Sequence, residues 1–235
     1  MRLKFLFFFI FLGFFVSGQE LRTNPIDSIS ILMGKYSINQ LLPEVTQAFL
    51  EMQSAAKKEG IALHIVSGYR SYEAQRGIWN RKYKRFISEG LSPQESIQKI
   101  IEYSTLPGTS RHHWGTDIDL IDTIKNVKGD VLLASHFHGG AFEELRFWLM
   151  SNAKKYGFEL VYTNEPNRSG FNYEPWHYSY APISIPLLKD YKSMDVIHKI
   201  KNDSMLLGNT FLDKVFLDAY YKTHILGVSP VLNRD

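Results

Sequence analysis

From Pro43 to Lys58 the apolar residues Val45, Ala48, Phe49, Met52 and Ala56 recur at helical spacing, and Gly60 follows as a stop. The run "IALHIV" at 61–66 then predicts a short buried strand leading into the turn "SGYRS" at 67–71. Ser71 is placed to cap a long helix, "YEAQRGIWNRKYKRFISEG". The next start signal is "SPQES", with Ser92 at the cap, Pro93 in the first turn and Glu95 closing a capping box. That helix is expected to run to about Tyr103, where "LPG" halts it. Residues 111–122 are too rich in β-branched and glycine-turn chemistry for a helix and read as strand, tight bend, strand. "FEELRFWLMSNAKKYG" is an amphipathic helix ended by Gly157. "FELVY" and "FNYEPWHY" read as an antiparallel pair joined by the polar loop "TNEPNRSG". After Pro182 and Pro186 the character changes, and residues 187–223 are mostly helical without candidate chemistry. Helices and strands alternate too irregularly for a doubly wound sheet, so the expected class is α+β.

The N-terminus changes the picture. Arg2 and Lys4 precede an unbroken apolar run from Phe5 to Val16, followed by the small residues of "VSG". A bilayer-spanning helix needs about 20 apolar residues, and this run is shorter. The expectation is a secretory signal at 1–18, cut after Gly18, and no stable membrane insertion afterwards. No cysteine stands at that cut for lipid attachment. Cleavage would leave 25 basic against 24 acidic residues, a balance that argues against a nucleic-acid partner. The chain has no cysteine, so core packing must hold it, and any metal must be bound through His, Asp or Glu.

Candidate chemistry lies in "SRHHWGTDID" at 110–119 and "EPWH" at 174–177. A hydrolytic zinc needs three protein ligands, an open position, and a carboxylate that does not bind the metal to take a proton from water. His112, His113 and His177 with Asp117, Asp119 and Glu174 supply that inventory with spares. On a straight strand, residues seven apart face opposite sides, so pairing His112 with Asp119 requires a bend, which Gly115 can provide. By parity, His113 with Asp117 or Asp119 works equally well, and spacing leaves the register open. Pro175 lacks a backbone donor, which argues for an edge or a local distortion there, and an edge would let an extended peptide lie alongside.

The motif Ser-x-His-x-x-Gly-x-x-x-Asp at 110–119, the turn at 67–71, "EPWH", and "FWLMSNAKKYGF" together resemble the VanY-type D-alanyl-D-alanine carboxypeptidases. These belong to a wider group of zinc peptidases that includes D-Ala-D-Ala dipeptidases and the hedgehog fold. The likeness covers roughly residues 40–182. It implies a small antiparallel sheet flanked by helices, one Zn2+ per chain, and His112, Asp119 and His177 as its ligands. It further implies Glu174 as general base and Arg70 as the group that neutralises an oxyanion or a substrate carboxylate. Ser67, Tyr69, Gln75 and Ser110 would line the substrate cleft. Two departures from the family pattern stand out: Ser179 replaces a basic residue, and Asp117 sits where alanine is common.

The resulting expectation is a secreted, periplasmic or cell-envelope zinc peptidase that trims peptidoglycan stem peptides, foremost as a D-Ala-D-Ala carboxypeptidase. The alternatives are an L,D-carboxypeptidase, a wall endopeptidase, or a metal-bearing wall-binding module without catalysis, against which the presence of Glu174 speaks. The organisation expected is a signal at 1–18, a lead-in at 19–40, the peptidase domain at 41–183 and a helical C-terminal extension at 184–235. His64, His136, His138, His198 and His224 read as ordinary packed or surface histidines. Trp114 and Trp176 read as packing around the site.

Overall fold

The computed structural model describes residues 30, 32–35, 40–194, 196–200 and 203–234. The expected signal segment, most of the lead-in and the His198 side chain lie outside them. Helix α1 (Pro43–Lys58) buries the five apolar residues whose spacing predicts it. Strand β1 (Leu63–Ser67) follows, then α2 (Tyr72–Ser88), whose Ser71 cap accepts a hydrogen bond from the Ala74 amide. Helix α3 (Pro93–Ile100) begins with the full capping box of Ser92 and Glu95. After β2 (Asp117–Asp122) come the short α4 (Ala134–Phe137), α5 (Glu143–Asn152), β3 (Phe158–Leu160) and β4 (His177–Tyr180). Helices α6 (Ala181–Ser193), α7 (Val196–Ile200) and α8 (Lys214–Tyr220) close the chain.

The four strands form one antiparallel sheet in the order β1-β2-β4-β3, flanked by helices, which is the α+β arrangement expected. Strand β2 lies inside the sheet and is buried on both faces. Its Ile118 and Leu120 point one way into the hydrophobic core, so Asp117 and Asp119 must point the other way. Two registers then align the polar face: Ser67 and His177 stand across from Asp119 on either side, and Ser179 stands across from Asp117.

Three local readings need correction. Residues 111–114 form a 3-10 turn rather than a strand, because their side chains and carbonyls are tied to the turn after β1. The Arg70 amide donates to the His112 carbonyl, while the His112 and His113 imidazoles bond the Gly68 and Arg70 carbonyls. Gly115 makes the bend, at φ +69°. Residues 171–176 are not strand either, since β4 begins only at His177. Pro175 thus sits in the turn before β4, and β4 is an interior strand, so Pro175 marks no sheet edge for a peptide to extend. The edges are β1 and β3.

The C-terminal helices share the same core. The Trp79 indole donates to the Leu207 carbonyl, and Asp203 accepts from Tyr72 and Arg76 on α2. The Tyr191 hydroxyl donates to the Gly108 carbonyl, and the Tyr220 hydroxyl accepts from the Leu106 amide. Arg168 donates to the carbonyls of Phe171 and Gly227, tying the loop before Glu174 to the chain's end.

Two buried polar groups dominate the bracing. The Arg111 guanidinium donates to Asp117 (2.9 Å) and to the Ser179 hydroxyl (2.8 Å), and Ser179 and Thr116 both donate to the other Asp117 oxygen. Neither Arg111 nor Asp117 is more than a few per cent exposed. Removing one partner of such a pair strands the other, so Asp117→Ala is expected to lose about 3–5 kcal/mol in chemical denaturation. An unchanged midpoint would show the pair to be dispensable. His113 accepts from the Gly108 amide through Nε2, so its proton sits on Nδ1 and goes to the Arg70 carbonyl. Burial pushes its pKa down from 6.5 to about 3. A histidine kept neutral by folding contributes stability that is present above pH 6.5 and lost as pH falls towards 3. His113→Asn keeps a donor but does not titrate, so the stability gap between wild type and variant should narrow as unfolding is measured from pH 7 to pH 4. A gap constant with pH would remove His113 as the acid-sensitive group.

Candidate active site

Two strands and two turns converge on one point. β2 carries Asp119, the start of β4 carries His177, the 3-10 turn carries His112, and the turn before β4 carries Glu174. All four side chains are buried. His112 Nε2 lies 3.4 Å from Asp119 Oδ2, and His177 Nδ1 lies 3.8 Å from Asp119 Oδ1. One ligand atom from each of the three lies within 4.8 Å of the others, the single such cluster among the described residues. Of the pairings that spacing left open, the fold brings His112, Asp119 and His177 together and turns His113 away into the Arg70–Gly108 brace.

The outward nitrogens of both imidazoles are assigned by their partners. A carbonyl can only accept, so His112 Nδ1 donates to the Gly68 oxygen (2.7 Å) and Nε2 is left facing Asp119. His177 Nε2 lies 3.1 Å from Asp117 Oδ1, which leaves Nδ1 facing Asp119 and Glu174. Such outer hydrogen bonds orient metal-binding histidines and raise their basicity. Asp119 Oδ1, buried, has no hydrogen-bond partner. An orphaned carboxylate oxygen between two imidazole nitrogens is the donor set that suits a zinc ion. The residues therefore fit the metal that the family resemblance implies.

Charge is strongly coupled here. Burial disfavours the charged form of His177, yet its hydrogen bonds to Asp117 and Glu174 outweigh that and raise its pKa to about 10. Burial opposes ionisation of Asp117 as well, but Arg111 and His177 hold its carboxyl below the ordinary range. Asp119 is likewise held down, against burial, by His112 and His177. Glu174 Oε2 sits 3.0 Å from His177 Nδ1, and its backbone amide donates to the Tyr162 carbonyl.

These groups line a cavity of about 370 Å³ that also meets Arg70, Ser110 and Trp176. Arg70 is aimed by its neighbours: Nη1 donates to Gln75 and Nη2 to Ser67, with Asp119 Oδ2 3.9 Å away. Ser67 and Gln75 thus hold Arg70 rather than form the cavity wall, and Tyr69 does not line it either. Trp176 packs on Phe137, Trp114 on Tyr191, and His224 stacks on Tyr220, while His64 faces solvent. His136 bonds the Asp130 carbonyl and His138 lies against Tyr173. The residue whose role sequence reasoning passed over is Asp117, which meets a histidine and an arginine at once. The signal was its place two residues before Asp119, on the same face of one strand.

The profile of the VanY D-alanyl-D-alanine carboxypeptidase family matches residues 38–183. The YodJ protein of Bacillus subtilis (strain 168) is 32% identical over 191 aligned positions that cover 71% of this chain and 64% of that protein. The chain thus spans just under two thirds of that relative. The bifunctional D-Ala-D-Ala dipeptidase and D-Ala-D-Ala carboxypeptidase VanXYC of Enterococcus gallinarum is 32% identical over 144 residues, 61% of this chain and 68% of that protein. Among solved structures, a mutant of the vancomycin-resistance D,D-pentapeptidase VanY in complex with Zn(II) shares the fold, with TM-score 0.50 and 24% identity over 67% of this chain and 82% of that one. With the profile matching more than half of its length, the chain belongs to the VanY D-alanyl-D-alanine carboxypeptidase family.

Proposed function

We propose that this protein is a secreted zinc carboxypeptidase of the cell envelope that removes the C-terminal D-alanine from peptidoglycan stem peptides. The observation that carries this reading is the meeting of His112, Asp119 and His177 with Glu174 at one wall of a single cleft. His112 through Nε2, His177 through Nδ1 and Asp119 through its carboxylate would hold one Zn2+. When bound, that ion supplies Lewis-acid polarisation and makes water acidic enough to be deprotonated near neutral pH. Glu174, which is not a ligand, takes the proton of the attacking water and returns it to the amine of the departing D-alanine. Arg70, held by Ser67 and Gln75, offers its remaining donor capacity to the negative charge that develops on the scissile carbonyl. Asp117 keeps His177 in the tautomer whose Nδ1 faces the ion. The apolar run from Phe5 to Val16 behind Arg2 and Lys4 supports a secreted enzyme with a wall substrate, and the extension at 184–235 acts as part of the catalytic unit through its bonds to residues 106–109 and to the loop before Glu174.

Purified protein loaded with zinc is expected to release D-alanine from a muramyl pentapeptide, and a chelator should stop the release. Absence of D-alanine from pentapeptide stems would sink the carboxypeptidase reading, and mass spectrometry of the products separates it from L,D- and endopeptidase cleavage. Glu174→Ala should keep its zinc while turnover falls by about 10²- to 10⁴-fold, the usual span for a positioned acid–base group. Turnover like wild type in that variant would remove Glu174 from the base role. His112→Ala should lose the metal, and full zinc occupancy in that variant would reject the ligand.

A further inference from the structure

The cleft holds a cation that the reaction above does not use. Lys82 reaches it from α2, one turn beyond Ile78, which lines the same cavity. Its side chain is half-buried, and its ammonium donates to the Ser104 hydroxyl at 2.6 Å. Among the described residues no carboxylate lies within ion-pair distance of it. The cleft's other cations are answered by the chain: Arg111 meets Asp117, and Arg70 lies beside Asp119 with Ser67 and Gln75 as acceptors. Glu174 and Asp130 favour the charged form of Lys82 from a distance, but burial foremost, with Arg85 and Arg70, lowers its pKa. A partly desolvated ammonium with one neutral partner has two N–H donors to spare, and an anion arriving in the cleft would satisfy both charge and donors.

We propose that Lys82, steadied by Ser104, is a specificity-determining contact for a carboxylate of the bound substrate. The inference rests on the stem-peptide reading of the cleft. A stem peptide offers that chemistry from two sources: the terminal carboxylate of the departing residue, or the side-chain carboxylate of a diamino-diacid in the retained part. Either way Lys82 discriminates among stems by charge, separately from the proton transfers at Glu174. Its hydrogen-bond partner is Ser104 and it is no member of the metal-binding cluster, so it acts on affinity more than on turnover.

The test compares zinc-loaded wild type with Lys82→Met and Lys82→Arg on three synthetic stems. One has a diamino-diacid at its third position, one has lysine there, and one is the diamino-diacid stem amidated at its C-terminus. For the full-charge stem, Lys82→Met should raise KM about ten- to a hundredfold with kcat little changed, the range for losing a hydrogen bond to a charged group. Lys82→Arg should recover most of it. If the wild-type preference for the diamino-diacid over lysine disappears in Lys82→Met, the side-chain carboxylate is the ligand. If the preference for a free terminus disappears, it is the terminal one. Equal KM for wild type and Lys82→Met on all three stems overturns the proposal. Calorimetric titration of the same stems into Glu174→Ala, with and without Lys82→Met, reads binding without turnover. Loss of affinity there supports the contact even if no stem is cleaved, which would count against the peptidase reading alone.

Discussion

One antiparallel register organises the site. Because β2 and β4 pair with Asp119 opposite His177, two residues far apart in the chain are set side by side by backbone hydrogen bonds rather than by their own attraction. A slip of β2 by one residue would turn Asp119 to the core face and carry Ile118 into the cleft, while the same slip in β4 would exchange His177 for Tyr178. The apolar face of β2 therefore enforces the polar one: Ile118 and Leu120 are fully buried, and they leave the carboxylates a single direction to point. His112 joins from outside the sheet, and its position depends on the bonds that tie the 3-10 turn to the carbonyls of Gly68 and Arg70.

Such a site concentrates buried charge, and the fold offsets it locally. Asp117, Asp119 and Glu174 lie within a few ångströms of two imidazoles, and two of the three carboxylates face an arginine. The Arg111–Asp117–Ser179 network matters most for the departures from the family pattern. The family resemblance leads one to expect a basic residue at position 179 and alanine at position 117, and here Ser179 and Asp117 contact each other and Arg111. Arg111 brings a positive charge beside Ser179, and the Asp117 carboxylate both neutralises it and orients His177.

Much of this was legible in the sequence, for physical reasons that differ by element. Helices α1, α2 and α3 announced themselves through period and caps, as Ser71 and the Ser92–Glu95 box show, because those signals are local. The α+β class and the small antiparallel sheet followed from the irregular alternation of elements and from the family resemblance. What failed was local reading of segments shaped by distant partners. Residues 111–114 have strand-like composition but are curled by bonds to residues 68 and 70, and Pro175 reads as an edge signal although the strand starts only after it. The roles of Ser67 and Gln75 as props for Arg70, and of Asp117 as the prop for His177, depend on side-chain directions that no spacing rule contains.

The account stands on a single ion held by His112, Asp119 and His177, and anomalous diffraction at the zinc edge from crystals grown with Zn2+ tests that most directly. It predicts one peak per chain about 2.0–2.2 Å from His112 Nε2, His177 Nδ1 and an Asp119 oxygen, with Glu174 outside bonding distance. A peak elsewhere, or these three side chains diverging with zinc in excess, would contradict it.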